Sequence, residues 1–339
     1  MSENKATVLL SDATLRDGSH SIRHQLTPDD VETFCKSIDE VGLNWVEVGH
    51  GNGLGASSFH FGKSHSADYN LLKAARKSLL KTKLSVHVMP GIATINRDLL
   101  PAIELGVDVF RVGSHCSEAD TTSKQIEYLR KLGQDVYGVL MMCHMITPRE
   151  LAMQAKTMEK SGALGVFIMD SAGALRMNDV RERIRTLRTE LSIPIGIHAH
   201  NNLGLAVANS LIAIEEGATM LDGCAAGFGA GAGNAQLEII ISLLKEQMQT
   251  EADAISYLRA TEYALQKFIP SPQILEPLSV ATGLAGLFSG YLKPIVREAS
   301  LNKIDPFILI DELKKYNLVA GQEDQIIEIA KKVSKENRE

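Results

Sequence analysis

The sequence predicts a (β/α)₈ (TIM) barrel with a C-terminal helical domain, and three observations favour this α/β fold class. Eight short β-branched runs alternate with helical periodicity over residues 8–247, which is the size of such a barrel. The first run leads into residues 14–18, Thr-Leu-Arg-Asp-Gly, and not into the G-x-G-x-x-G of a doubly wound sheet. After residue 248 the strand pattern stops. We therefore expect a catalytic barrel at residues 1–250 and a helical domain at residues 251–339.

The predicted strands are short apolar runs. They are Val8–Leu10, Trp45–Val48, Leu84–Met89, Val107–Val112, Val136–Met142, Gly165–Met169, Ile195–Ala199 and Thr219–Leu221.

The predicted helices fill the intervals and continue to the C-terminus. Two of them open with a capping hydroxyl followed by proline, at Thr27-Pro28 and Thr147-Pro148. The barrel helices are Asp29–Val41, Ala67–Lys81, Asn96–Leu105, Lys124–Lys131, Pro148–Lys160, Asn178–Glu190, Leu203–Glu215 and Ala235–Gln247. The C-terminal ones are Ala254–Lys267, a small-residue stretch at Ala281–Leu292, Asp305–Tyr316 and Gln325–Lys335.

The composition excludes several classes of protein. The 339 residues are 45% hydrophobic and 22% charged, which is typical of a globular protein and excludes collagen and disorder. A net charge of −6 and a single tryptophan argue against a general nucleic-acid or anionic-membrane binder. No apolar run is long enough to cross a bilayer.

The cysteines and the N-terminal segment indicate a reducing, cytoplasmic location. The cysteines are widely separated and form no C-x-x-C pair, so we expect no disulfide framework. Residues 1–5 lead directly into an apolar run and lack the regions of a signal peptide.

A metal site is predicted where the seventh strand ends. His198 and His200 are two residues apart, so both imidazoles point to the same face of the strand and suit one divalent ion. A hydrogen-bonded histidine pair is the alternative. The third ligand should be a carboxylate at another strand end, where Asp12 and Asp17 both qualify. We favour Asp17, because it lies beyond the strand, whereas Asp12 is expected to be buried within it.

Two residues beside Asp17 are candidates for the chemistry. Arg16 next to a metal would serve as a fixed cation for an oxyanion, and its alternative role is an ion pair with Glu47. These two roles are compatible, since such a pair would orient the guanidinium. His20 is a candidate acid or base at the barrel mouth.

The glycine-rich segment 227–234 follows the eighth strand and has two interpretations. It is either a phosphate cradle or a loop that lets the backbone approach the site closely. No lysine ends the fourth to seventh strands, which disfavours a Schiff-base aldolase, and no paired carboxylates suggest glycoside hydrolysis.

At these residues the sequence resembles the 4-hydroxy-2-oxovalerate aldolases, pyruvate-forming class II aldolases of the DRE-TIM metallolyase superfamily. The resemblance covers nearly the whole chain. Its motifs lie at residues 14–20, 46–51, 111–112, 141–146, 170–174, 198–202, 229–238 and 321–324.

The resemblance implies a set of roles for matching residues. Asp17, His198 and His200 would hold a divalent metal, most often Mn²⁺, with Mg²⁺ or Co²⁺ as alternatives. Arg16 would steady a pyruvate enolate on that metal, with His20 as the base. The implied activity is cleavage of 4-hydroxy-2-oxo acids to pyruvate and an aldehyde, or the reverse aldol addition, in aromatic hydrocarbon catabolism.

The resemblance also implies partners. The family works in complex with an acylating aldehyde dehydrogenase, which its C-terminal helical region contacts, and we expect an oligomer.

The expected substrate-binding residues include departures from the family. They are Arg16, Ser171, His87, Met89, Phe288 and Tyr291. Phe288 replaces a family tyrosine that helps to set stereochemistry, and the nearby Tyr291 is out of register. His87 and Met89 stand where the family has leucines. We expect the metal and pyruvate half to be retained and the aldehyde to be larger than, or different from, acetaldehyde.

Two alternatives remain open. One is an acyl-CoA condensing enzyme or lyase of the same superfamily, similar to isopropylmalate or homocitrate synthase or to hydroxymethylglutaryl-CoA lyase. That lyase would carry a reactive cysteine in the glycine loop, and residues 227–235 contain none. The other is a non-catalytic scaffold, which would need none of the residues proposed for chemistry.

Overall fold

The computed structural model describes residues 7–336. The N-terminal residues 1–5 discussed above, and the ends of the predicted domains at residues 1–6 and 337–339, lie outside the described residues. Within residues 7–336 no helix has both the length and the apolar character needed to span a membrane.

Eight parallel strands form a closed barrel in sequence order, and this confirms the predicted fold class. Pairing of β1 with β8, in the register Leu9↔Met220 to Asp12↔Gly223, closes the sheet. The strands are β1 (Leu9–Asp12), β2 (Trp45–Glu47), β3 (Lys83–Val88), β4 (Val109–His115), β5 (Asp135–Met141), β6 (Val166–Asp170), β7 (Ile195–Ala199) and β8 (Met220–Gly223).

Eight helices surround the barrel, and both predicted caps are present. Thr27 and Asp30 form a capping box at α1, as Thr147 and Glu150 do at α5, with proline at the first helical position each time. The helices are α1 (Pro28–Ile38), α2 (Asp68–Ser78), α3 (Leu100–Glu104, preceded by one π-helical turn at Ile95–Leu99), α4 (Ser123–Lys131), α5 (Pro148–Lys160), α6 (Met177–Glu190), α7 (Ala206–Glu215) and α8 (Leu237–Glu246).

Five further helices follow the barrel, and here one prediction is wrong. The predicted helix Ala281–Leu292 is broken at residues 285–288, because Gly286 adopts a φ of +68° and the backbone N–H of Ser289 donates to the Ser171 carbonyl instead. The helices are α9 (Ala254–Lys267), α10 (Pro277–Leu284), α11 (Leu292–Asn302), α12 (Pro306–Leu313) and α13 (Glu323–Glu336).

Two apolar clusters divide the helices differently from the sequence-based boundary. Tyr257, Ala260 and Ala264 of α9 belong to the cluster that packs the barrel strands against their helices. Buried residues of the segment 287–333 form a separate cluster. The boundary at residues 250 and 251 stays a prediction.

The barrel interior is layered, and this layering positions the site. Trp45, Val109, Phe167 and Met220 belong to an apolar cluster inside the strands. Because side chains two residues apart share a face of a strand, the next layer toward the carboxyl ends holds other residues of the same strands. This layer is charged: it contains Glu47 of β2, Arg111 of β4 and Asp222 of β8, all fully buried.

Candidate active site

Asp17, His198 and His200 come together at the carboxyl end of the barrel. Asp17 opens a 3₁₀ turn just after β1, while His198 lies in β7 and His200 directly follows it. Each offers one ligand atom, and these atoms all lie within 4.8 Å of one another. All three residues are buried. Asp12, the other carboxylate considered from the sequence, is buried in β1 and accepts a hydrogen bond from the Tyr257 hydroxyl at 2.6 Å.

The chemistry of this cluster fits a divalent cation. His198 Nε2 and His200 Nδ1 are buried and have no hydrogen-bond partner among the described residues. Burial lowers the pKa of His200 to about 3, so its imidazole is neutral. Burial raises the pKa of Asp17, but the adjacent Arg16 guanidinium outweighs this effect and holds that pKa well below its usual range. Two imidazoles and one carboxylate are a common ligand set for divalent metals and leave positions open for substrate.

The Asp17 carboxylate is held from both sides. Arg16 donates to Oδ1 at 2.8 Å, and the side-chain amide of Asn234 donates to Oδ2 at 2.5 Å. Sequence reasoning missed Asn234, although it ends the glycine segment that was singled out. A Cβ atom at Gly229 would lie 2.3 Å from Asn234 Nδ2 and 2.9 Å from Asp17 Oδ2. This favours the interpretation of the segment as a loop that approaches the site closely.

Arg16 is placed for both of the roles weighed from the sequence. Its Nε donates to Glu47 Oε2 at 2.6 Å, so the expected ion pair exists. The third nitrogen of the guanidinium, NH2, is buried without a partner among the described residues. Burial opposes the charge of Arg16, but Glu47 and Asp17 more than compensate and raise its pKa. A permanent cation therefore keeps one free donor beside the metal cluster.

A buried ion-pair network lies beneath these residues, and sequence reasoning missed it. Arg111 donates to Asp222 Oδ2 at 2.5 Å and lies 3.3 Å from Glu47 Oε1. Its guanidinium stands 4.2 Å from the centroid of the Phe167 ring. Asp222 Oδ2 in turn lies 3.2 Å from His198 Nδ1. The sequence did contain one indication of this network, namely charged residues in the middle of otherwise apolar strands.

A cavity of about 140 Å³ lies above the cluster, and most of the predicted site residues line it. Those lining it are Arg16, Asp17, His20, His87, Met89, Ser171, His200 and Phe288. Tyr291 does not line it, because its hydroxyl donates to the Val319 carbonyl and its ring packs in the C-terminal cluster. The position of Tyr291 therefore gives no support to a contact with substrate.

His20 lies at the cavity wall against the backbone of Gly51. A Cβ atom at Gly51 would stand 2.4 Å from His20 Nε2. Burial lowers the pKa of His20, so the imidazole is neutral near pH 7. On its outer side His20 meets His24 with ring centroids 4.9 Å apart, and His24 stacks on His50 at 3.6 Å.

The C-terminal region completes the cavity, and it does so with more residues than Phe288, which was expected there from the sequence. Ala320, Gly321 and Glu323 line it together with Phe61 from the segment after β2. His60 connects the segment after β2 to the C-terminal region, since its Nε2 lies 3.1 Å from the Gly321 carbonyl oxygen.

Comparisons with known proteins give consistent results. Residues 7–269 match the HMGL-like family, and residues 273–335 match the DmpG-like communication domain. A 4-hydroxy-2-oxovalerate aldolase from Pectobacterium atrosepticum is 45% identical over 331 residues, which cover 97% of this chain and 96% of the relative. Another from Spirochaeta aurantia is 46% identical over 337 residues, 99% of each chain.

The solved structures extend the likeness of fold. The carboxyl transferase domain of Rhizobium etli pyruvate carboxylase matches with a TM-score of 0.82 over 98% of this chain and 61% of that chain. At 17% identity this likeness concerns the fold alone.

Proposed function

Because this chain belongs to the 4-hydroxy-2-oxovalerate aldolase family, we propose that it cleaves 4-hydroxy-2-oxo acids to pyruvate and an aldehyde. The observation that carries this proposal is the buried Nη2 of Arg16, which has no partner within residues 7–336. Arg16 contacts Asp17 of the cluster formed with His198 and His200, and Arg16, Asp17 and His200 line one cavity. That arrangement suits a reaction in which negative charge develops on a substrate oxygen. The reverse reaction is an aldol addition of pyruvate to an aldehyde.

The geometry supports the following roles for these residues. A divalent ion held by Asp17, His198 and His200 would supply Lewis-acid stabilisation of the developing oxyanion. Arg16 NH2 would donate to the same oxygen without reorganising, because Glu47 and Asp17 already fix its guanidinium.

His20 would act as the general base. Neutral His20 takes the proton of the 4-hydroxyl group, the C3–C4 bond breaks, and its electron pair forms the enolate of pyruvate as the aldehyde departs. Protonation of the enolate at C3 then yields pyruvate.

The far wall of the cavity would receive the aldehyde. His87, Met89 and Phe288 line this cavity, and they combine one buried imidazole with two large apolar groups. We propose that they select an aldehyde other than acetaldehyde. Ser171, which also lines the cavity, would contact the oxo acid.

The metal, the partner and the location complete the proposal. We infer Mn²⁺ as the physiological metal, with Mg²⁺ or Co²⁺ as alternatives, since the ligands combine nitrogen and carboxylate oxygen. An acylating aldehyde dehydrogenase would bind the C-terminal helical region, whose residues 273–335 match a communication domain. We also propose a cytoplasmic oligomer, and buried thiols at all four cysteines suit a reducing compartment.

The test is turnover of a defined substrate. The purified chain with Mn²⁺ should release pyruvate from 4-hydroxy-2-oxo acids, and faster from a substrate that yields a different aldehyde than from 4-hydroxy-2-oxovalerate, which yields acetaldehyde. A panel of aldehydes with pyruvate should give aldol products identified by mass. Condensation of a keto acid with an acyl-CoA, and no reaction with free aldehydes, would instead identify the superfamily alternative. Absence of both reactions with metal bound would favour a scaffold.

A further inference from the structure

We propose that Asp222 is a positioning residue that makes the two imidazoles of the metal cluster unequal, with His198 as the anchored ligand and His200 as the unanchored one. This inference rests on the divalent-ion site of the proposed function. It concerns which histidine the protein has oriented in advance, and how.

Asp222 is itself held in one orientation. It lies in β8 and is fully buried. The Ser11 hydroxyl donates to its Oδ1 at 2.6 Å, and Arg111 donates to its Oδ2 at 2.5 Å. Arg111 keeps the carboxylate ionised in the interior, because it is buried in direct contact with it.

The ionised carboxylate sets the tautomer of His198. Asp222 Oδ2 lies 3.2 Å from His198 Nδ1, and a carboxylate can only accept hydrogen bonds. Nδ1 must therefore be the donor in this hydrogen bond. Nε2 is left as the nitrogen that can bind a metal, and it is buried and has no partner among the described residues. The carboxylate thus orients the ring so that Nε2 serves as the ligand atom.

His200 lacks such an arrangement. Its Nδ1 is buried without a hydrogen-bond partner within residues 7–336. Its backbone N–H donates to the Asp170 carbonyl at 3.4 Å, which fixes the main chain and leaves the ring tautomer unset. The two rings stand close together, with centroids 5.1 Å apart, yet in the described part of the chain a carboxylate is within hydrogen-bond distance of a ring nitrogen of His198 and not of His200.

The substitution Asp222→Asn tests the role of this carboxylate with little change in shape. An asparagine amide can donate to His198 Nδ1, which would move the ring proton to Nε2 and block the ligand atom. Loss of a carboxylate behind a metal-bound histidine weakens metal affinity by about 10- to 100-fold. Asp12→Asn is the matched control, since Asp12 is equally buried in the neighbouring strand and touches none of the three ligands.

The experiment is a Mn²⁺ titration of the full chain followed by the electron paramagnetic resonance signal of free Mn²⁺. We expect Asp222→Asn to bind Mn²⁺ about 10- to 100-fold more weakly and to recover turnover when Mn²⁺ is raised to saturation. Asp12→Asn should stay within about threefold of the parent. Ser11→Ala, which removes only the hydroxyl that steadies Asp222, should weaken binding several-fold and replaces Asp222→Asn if that variant does not fold.

The same titration also measures directly whether His198 and His200 contribute unequally to Mn²⁺ affinity. His198→Ala should lose more Mn²⁺ affinity than His200→Ala. Equal losses, or parent-like Mn²⁺ affinity in Asp222→Asn or its substitute, would overturn the inference. If the parent chain binds no Mn²⁺ at all, the proposed metal site itself is wrong. If the parent binds Mn²⁺ and Asp222→Asn binds it equally well, the metal site stands and the role of Asp222 is wrong.

Discussion

The substitution Arg16→Lys is the sharpest test of whether the guanidinium of Arg16 stabilises negative charge on a substrate oxygen. In the parent, two nitrogens of the guanidinium are paired with Glu47 and Asp17, at 2.6 and 2.8 Å, and Nη2 has no partner among residues 7–336. A lysine keeps the charge but offers one ammonium where the guanidinium offers a fork. That ammonium will be held between the two carboxylates, so the donor to the substrate oxygen is lost.

The size of the effect follows from the loss of one oxyanion donor. Such a loss typically lowers kcat by about 10²- to 10³-fold, which corresponds to about 2.7–4 kcal/mol. Alanine is the poorer choice, because removing one partner of a buried ion pair costs about 3–5 kcal/mol of stability. Lysine keeps Asp17 and Glu47 compensated, so we expect the melting temperature to fall by only a few degrees.

The assay is steady-state pyruvate release at saturating Mn²⁺, with circular dichroism to check folding. Arg97→Lys is the control, since Arg97 is an exposed arginine paired with Asp98 and lies away from the cavity. Parent-like turnover is expected there. A kcat for folded Arg16→Lys within tenfold of the parent would refute the role assigned to NH2.

Three further outcomes are expected. Stripping divalent ions with a chelator should abolish pyruvate release, and adding Mn²⁺ should restore it; activity that persists with metal confirmed absent would remove the metal mechanism. Phe288→Tyr should change the stereochemical preference or the choice of aldehyde, measured by chiral analysis of aldol products, and an unchanged product would show that this ring does not contact substrate. Burial raises the pKa of Asp12 from 3.8 to about 6, so its contribution to folding is full below pH 3.8 and is lost as pH rises through 6. Urea unfolding should therefore show Asp12→Asn gaining up to about 3 kcal/mol on the parent between pH 4 and pH 8, and a difference independent of pH would contradict this pKa.

Much of the fold could be predicted because its determinants are local. Alternating β-branched runs and the Thr-Pro caps act over a few residues, and each of the eight strands overlaps the run predicted for it, although the boundaries shift by up to three residues. The Arg16 pairing with Glu47 could also be foreseen, since Glu47 ends β2 and Arg16 follows the adjacent strand β1.

The residues that escaped prediction depend on contacts between distant segments. Arg111 and Asp222 are 111 residues apart and meet only because the barrel closes. The segment at Ala320 and Gly321 reaches the cavity through the packing of α10 to α13, for which no local pattern exists. Gly286 interrupted a helix that its small neighbours favoured, because a backbone contact with Ser171 determines the path there.

Ala320, Gly321 and Glu323 supply part of the cavity wall, so the barrel and the C-terminal region share one site. A mutation in either part can therefore affect the other. A chimera that took residues 273–335 from a relative would take part of that relative's cavity wall together with its communication domain. Sequence changes in this region therefore alter the cavity, and the barrel and the helical region are expected to diverge together.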